Sequence, residues 1–316
     1  MQSWGSGQSR NLMDRIKQYQ ESGKRLNAHL ERMLDSEKGF PDPPTWGYAF
    51  TALSAAVQDD ENSSGSRLFH TAIKHLEQQE KNSREYSWEF VVFAMQALRC
   101  LHGVKHPCVE QLTRYRKKGT RMFNWYLLRV VNKYFDKRLA WYDRVTFRLA
   151  INLYTTPEGM ILDEFKTRSL QYHAFSLFVL IHIYHESKAE WLKNIIIKAG
   201  QLSEHLMMAD GTALYLGRGQ EQIFGYGALV YSLEYINRCL RALDQTKLEA
   251  LAKRVLSFQR RDGSFPLVLR RIEPELAGIN FSADRPHGWY GYNTLYDYQP
   301  FLAYCLLRTG QLSDGE

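Results

Sequence analysis

Residues 169–206 read SLQYHAFSLFVLIHIYHESKAEWLKNIIIKAGQLSEHL. The first half is apolar on every side of a helix. The second half is apolar along one stripe and charged elsewhere. A helix that is apolar all round is buried, and a helix with a single apolar stripe lies against a core with its other face in water. Two such helices joined by a few residues must pack antiparallel. The stretch therefore predicts a hairpin of one inner and one outer helix.

The same alternation runs outward in both directions. Apolar spacing at i, i+3, i+4 and i+7 predicts helices over 11–36, 46–58, 66–79, 88–101, 108–119, 122–135, 142–153, 168–185, 189–206, 222–240, 247–259 and 294–308. An aromatic or polar cluster precedes nearly every apolar helix. The clusters are PPTWGY (43–48), EYSWEF (85–90), FNWY (123–126), SLQYH (169–173), GRGQEQIFGY (217–226) and GWYGYNTLYDY (288–298). An open superhelix would not need Trp and Tyr gathered at one end of every helix pair. A closed ring would, because its inner helices all begin at one rim. The expected fold is an all-α single domain, an (α/α)6-type toroid of twelve helices. Asp210-Gly211 and Asp262-Gly263, each followed by apolar alternation, predict small β-hairpins on the rim. Residues 270–287 form a long irregular stretch, expected as a wall of the site. Residues 1–10 are expected to be disordered.

Composition narrows the partners. The chain has 316 residues, 44% hydrophobic and 24% charged, the mix of a folded domain. The most apolar run, Phe175 to Tyr184, is interrupted by His182 and is too short to span a bilayer. The first twenty residues lack the apolar core of a signal peptide, so a cytoplasmic location is expected. Cys100, Cys108, Cys239 and Cys305 match no zinc or CxxC spacing and are expected to be structural, and no metal or cofactor is implied. The 41 basic and 34 acidic residues give a formal charge of +7, which favours an anionic partner. No nucleic-acid module accompanies that charge. The cluster Arg114, Arg116, Lys117, Lys118 and Arg121 reads as a solvated helix end.

Four segments hold the chemistry. In DGTALYLGRGQEQIFGYG (210–227), Gly217, Gly219, Gly225 and Gly227 leave the backbone open to a ligand. Tyr215, Arg218, Gln220, Glu221, Gln222 and Tyr226 place polar groups at a helix mouth. Tyr172 and His173 sit in the first turn of an apolar helix, where the dipole disfavours imidazolium and leaves a neutral base. Asn124-Trp125 sets an amide beside an aromatic plane. RPHGWYGYNTLYDYQP (285–300) offers Arg285, His287, Trp289, Tyr290, Asn293 and Tyr296, and aromatic faces stack on sugars. Trp46 and Trp88 stand at two further helix starts.

An Asn-Trp element, a Tyr-His element and a Gly-Arg-Gly element, in that order on helical hairpins, resemble the α/α-toroid polysaccharide lyases of the alginate, chondroitin and heparinase-like group. The resemblance implies cleavage of an acidic, uronate-containing polysaccharide or oligosaccharide by β-elimination. Asn124 would neutralise the uronate carboxylate, His173 would be the base, Tyr226 or Tyr290 the acid, and Arg218 a carboxylate or leaving-group contact. Trp46, Trp88, Trp125, Tyr172, Tyr215, Gln220, Gln222, Arg285, His287, Trp289, Asn293 and Tyr296 would bind substrate. The Asn-Asn-His and Asn-His-Gly motifs of some of these families are missing.

Three other readings share the fold. A glycoside hydrolase needs paired carboxyl groups, with Asp163, Glu164, Asp210, Glu221 and Asp297 near predicted rims. A sugar-binding protein would keep the cleft without chemistry. A terpene-cyclase-like toroid is suggested by SFQRRDGSFP (257–266), although Phe265 stands where that repeat carries Trp.

Overall fold

The computed structural model describes residues 6–58, 66–81, 88–113, 122–271 and 294–313, with side chains from Asn11 onward. Twelve α-helices lie among them: α1 Ser6–Met33, α2 Gly47–Gln58, α3 Arg67–Gln78, α4 Trp88–Leu101, α5 Pro107–Thr113, α6 Phe123–Phe135, α7 Trp141–Tyr154, α8 Leu170–Ser187, α9 Glu190–Leu206, α10 Ile223–Tyr235, α11 Gln245–Ser257 and α12 Leu295–Gln311. The segment 11–36 begins earlier than its apolar spacing suggested, at Ser6. α10 runs on into a π-helical turn, Ile236–Leu240.

The even-numbered helices pack side to side in the order α2, α4, α6, α8, α10, α12 and back to α2. That closes a ring. Each odd-numbered helix lies outside an even one. Burial follows the sequence pattern. Every residue of α10 is buried, whereas α9 buries Leu192, Ile196, Ala199, Gly200 and Ser203, one stripe along its length. Ser169 caps α8 by accepting from the Tyr172 N–H, and Lys188 ends it in the left-handed conformation (φ 49°).

A carboxylate clasp closes the ring. Asp297, in the first turn of α12, accepts from the backbone N–H groups of Trp46 (2.8 Å) and Gly47 (2.7 Å), the start of α2. It serves the N-termini of two helices at once, where anions are favoured. Three residues on, Pro300 lies inside α12 and brings no N–H for the carbonyl of Tyr296. Gly47 packs against that carbonyl, and a Cβ there would lie 1.9 Å from it. Asp297 is thus a structural cap.

No strands occur among the described residues, so the expected β-hairpins are not formed. Asp210-Gly211 and Asp262-Gly263 do make turns, with Gly φ of 82° and 89°. The alternating apolar residues beyond them are drawn inward: Leu214, Phe265, Leu267, Val268 and Leu269 are all buried. The two loops touch each other instead, through Ile223 N–H to Leu267 O (3.0 Å) and Leu269 N–H to Glu221 O (2.8 Å).

Candidate functional site

The inner helices all begin at the same rim, because residues at their starts touch one another across the axis. The connections into them (34–46, 79–87, 114–122, 155–169, 207–222, 258–294) are long. Those leaving at the opposite rim are short, down to 188–189 between α8 and α9. The described aromatic residues of the clusters therefore fall on the long-loop rim.

Much of that aromatic surface turns inward. Trp46 stacks on Phe90 (4.8 Å), Phe90 on Phe175 (5.3 Å), and Phe224 on Tyr298 (5.2 Å), with Phe301 against Phe224 (4.7 Å). Trp125 sets its edge on Phe90. Each inner helix or the residue leading into it contributes a ring, and together they plug the axis. Trp46, Trp88 and Tyr296, expected as sugar contacts, are buried: Tyr296 stacks on Phe40, and Trp88 Nε1 donates to Lys81 O (3.1 Å). A Trp at a helix start serves a core as readily as a sugar.

The expected Asn-His-Tyr set is not brought together as an open site. Asn124 is buried, and its Oδ1 accepts from the Trp125 N–H (2.7 Å). The α6 N-cap is Met122. His173 lies wholly in the core. Its Nδ1 accepts from the Ile161 N–H (2.9 Å), and its Nε2 faces Ser203 Oγ (3.0 Å) and Ala199 O (3.3 Å). Both nitrogens are engaged, so no lone pair is left for a substrate proton. Burial, rather than the helix dipole, holds its pKa down to about 4. Its role is to pin the 155–169 loop to α8 and α9. Tyr226 is buried too. Its hydroxyl donates to Glu221 Oε2 (3.0 Å) and accepts from Arg254 Nε (3.0 Å), and burial pushes its pKa well up, followed by the charge of Glu221.

The glycines of 217–227 admit protein rather than ligand. Gly217 (φ 83°) abuts Arg168 O at 2.4 Å from a would-be Cβ, and Gly219 (φ 68°) abuts the Gln171 amide. Ser169 Oγ donates to Arg218 O (2.9 Å), which locks this turn onto the start of α8. Gln222 is buried and accepts from Gln171 Nε2 (3.1 Å), while Gln220 is half-buried. Arg218 pairs with Asp163, lies 3.5 Å from Glu164 Oε1 and covers the ring of half-buried Tyr172 at 5.1 Å. Asp163 is fully buried, and burial pushes its pKa up against the pull of Arg218.

A second guanidinium, which sequence reading missed, organises an open cavity. Arg254 Nη2 pairs with Glu221 Oε2 (2.6 Å) and donates to Leu269 O (2.8 Å), and Nη1 lies 3.4 Å from Asp210 Oδ2. Glu221 also accepts from the Leu214 N–H (3.0 Å) and holds a left-handed backbone (φ 57°). Such backbone strain persists where surroundings over-determine it. These groups wall a cavity of about 750 Å³, with Tyr215, Lys253, Phe258, Arg270 and Arg271 also on its lining. The size suits a small organic ligand. Tyr215 donates to Leu206 O (2.9 Å). Lys253, Arg254, Arg270 and Arg271 face two acids, Asp210 and Glu221. The Thr212 N–H holds the Asp210 carboxyl below its usual range, so it is ionised. Arg254 was missed because a cation near the end of an outer helix reads as solvated surface.

Arg285, His287, Trp289, Tyr290 and Asn293 lie outside the described residues. Among the described residues no cluster suits a metal ion, and no helix is long and apolar enough to cross a membrane. Cys305 and Cys108 are buried, whereas Cys100 is exposed rather than in the core.

No protein-family model matches the chain, and no curated protein matches it in sequence. Solved structures do match in shape. A variant of unsaturated glucuronyl hydrolase from Streptococcus agalactiae is similar at TM-score 0.61 and 10% identity, covering 99% of this chain and 98% of that one. A polysaccharide lyase matches at 0.59 and 10%, covering 92% and 97%. A type II terpene cyclase from Scytonema matches at 0.55 and 12%, covering 94% and 98%. At such identities the likeness concerns the fold, and one fold hosts many chemistries. The chain has the α/α-toroid fold that these hydrolase, lyase and cyclase structures share.

Proposed function

We propose that the protein is a carbohydrate-active enzyme that cleaves an anionic, uronate-containing oligosaccharide in the Arg254 cavity, by hydrolysis. The observation that carries this is the cavity itself: sugar-sized, at the long-loop rim, with four cations facing two carboxylates. One neighbour's name gives hydrolysis of a glucuronyl group, which fits this ligand class. Hydrolysis is preferred to elimination for a geometric reason. Asn124, His173 and Tyr226 are buried and none of them lines the cavity, whereas the carboxylates Asp210 and Glu221 do. Asp210 and Glu221 touch one guanidinium, so their facing oxygens lie at most about 8 Å apart, below the upper limit of about 9.5 Å for the carboxyl pair of a glycoside hydrolase.

Asp210, ionised and exposed, is the base that activates water. A substrate carboxylate that binds Arg254 competes with Glu221 for the guanidinium. Glu221, released from the guanidinium, is the acid for the leaving oxygen. Lys253, Arg270 and Arg271 strengthen the hold on the anion. The test is incubation with uronate-containing oligosaccharides, following both new reducing ends and the ultraviolet absorbance of an unsaturated product. Reducing ends without that absorbance, lost in Asp210→Asn, support hydrolysis here. Absorbance that survives Asp210→Asn would return the case to elimination. Neither signal, with binding retained, would make the cavity a sugar-binding site.

A further inference from the structure

An outer helix should bury one stripe and present a polar face. α7 does not. It buries Phe147 and Ile151, yet Trp141 (76%), Tyr142 (57%), Val145 (50%), Leu149 (64%) and Leu153 (60%) are exposed. Phe165, on the following loop, is exposed as well. Nine large apolar side chains are exposed among the described residues, and six of them are in this one region. Single exposed apolar residues are ordinary, but a contiguous patch calls for a partner. Positions 142, 145, 149 and 153 recur every three or four residues, so they form a second stripe, roughly opposite the buried one.

The flank of this stripe is cationic. Arg144 and Arg148 fall between the two stripes on one side of the helix. They line a groove of about 530 Å³ together with Lys137, Tyr134, Trp191 and Glu186. Arg148 lies over the Trp191 ring at 5.4 Å. The acid on the other flank, Asp143, is tied to Lys133 Nζ (2.6 Å). An apolar stripe bordered by cations, with Trp and Tyr at its start, is the make-up of a helix that lies in a membrane interface.

We propose that α7 seats this protein on an anionic bilayer, with the apolar stripe in the interfacial layer and the Lys137–Arg144–Arg148 groove against a phospholipid headgroup. Charge decides the occupant. A second copy docked antiparallel on this face by a two-fold axis would set the same cations against each other, and a parallel one would meet an Asp143 already tied to Lys133, whereas anionic lipid neutralises them. Each basic residue near such a surface strengthens binding about fivefold.

The test is flotation of the full chain with vesicles of phosphatidylcholine alone or mixed with phosphatidylglycerol, alongside light scattering for mass. Flotation is expected with the anionic vesicles, weakening as salt rises. L149D/L153D should abolish it, and R144E/R148E should cut partitioning by more than about twenty-fivefold, both with unchanged melting since these side chains are exposed. No flotation of the wild type overturns the proposal. So does equal binding to neutral vesicles that ignores R144E/R148E. A dimer that L149D/L153D dissociates, without vesicle binding, assigns the face to a second copy and overturns it as well.

Discussion

Two arginines on the same rim each hold two acids, and they do so differently. Arg218 rests over Tyr172 and pairs with the buried Asp163, whose carboxyl is pushed up by its surroundings. Arg254 holds a buried Glu221 that also accepts from Tyr226 and Leu214, and the cluster faces an open cavity. The first arrangement fastens the 155–169 loop to the 207–222 loop. The second fastens loops too, but leaves charge facing a ligand-sized space. A guanidinium with two carboxylates is therefore not a site by itself; the cavity beside it makes the difference.

The sharpest way to break the comparison is to remove each arginine. Arg254→Ala should lower turnover by at least about a hundredfold, the scale of losing a positioned acid–base pair. It should also cost about 3–5 kcal/mol of stability by leaving Glu221 buried without its cation. Arg218→Ala should change turnover by less than about tenfold, since the cavity stays intact. Its stability loss should shrink as pH is lowered, because Asp163 takes up a proton more readily than an exposed aspartate. Kinetics and thermal melts on both variants read these outcomes. Equal losses would erase the distinction.

Histidine titration sharpens it further. Burial holds His173 at about 4 and His182 at about 3, below the unfolded value of about 6.5. Between those values the unfolded chain binds protons that the folded one refuses, so stability rises with pH there. Stability should fall by a few kcal/mol as pH drops from about 6.5 to about 4, and His173→Gln should flatten that slope. Denaturant titration across pH measures it. The pH profile of turnover should carry no limb that His173→Gln removes; one that vanishes would restore His173 as a base.

Smaller effects test the scaffolding. Gly217→Ala meets both a left-handed backbone and the Arg168 carbonyl, and should cost about 1–3 kcal/mol with loosened turnover. Tyr215→Phe loses one hydrogen bond to Leu206 and should cost about 1 kcal/mol or less, read by melting.

Periodicity made the ring legible. The spacing over 88–101 predicts α4 with the bounds that it has, and the all-round apolar character of 170–184 marks α8 as inner. What periodicity cannot give is the direction in which a polar group at a helix start points. His173 and Asn124 carry the residue types of catalysis, but both are consumed by backbone partners from distant or neighbouring segments. The Ile161 amide that occupies His173 is twelve residues away on a loop without periodicity. Asp-Gly gave turns without strands, because Leu267 and Leu269 found the other loop rather than a neighbouring hairpin arm. Arg254 was invisible for the opposite reason: on an outer helix a cation is the expected residue.

Closure by α12 has a consequence for how the chain reaches its native state. In an open array of helix pairs, each pair is supported by its neighbours, and the last can fray without undoing the first. Here α12 packs against α1 and α2 as well as α10, and Gln311 Nε2 donates to Val57 O (2.6 Å) across 254 residues. Until α12 forms, both α2 and α10 expose an inner flank built to be dry. A nascent chain thus holds that apolar surface open until α12 emerges, and the ring then gains its stability in one cooperative step.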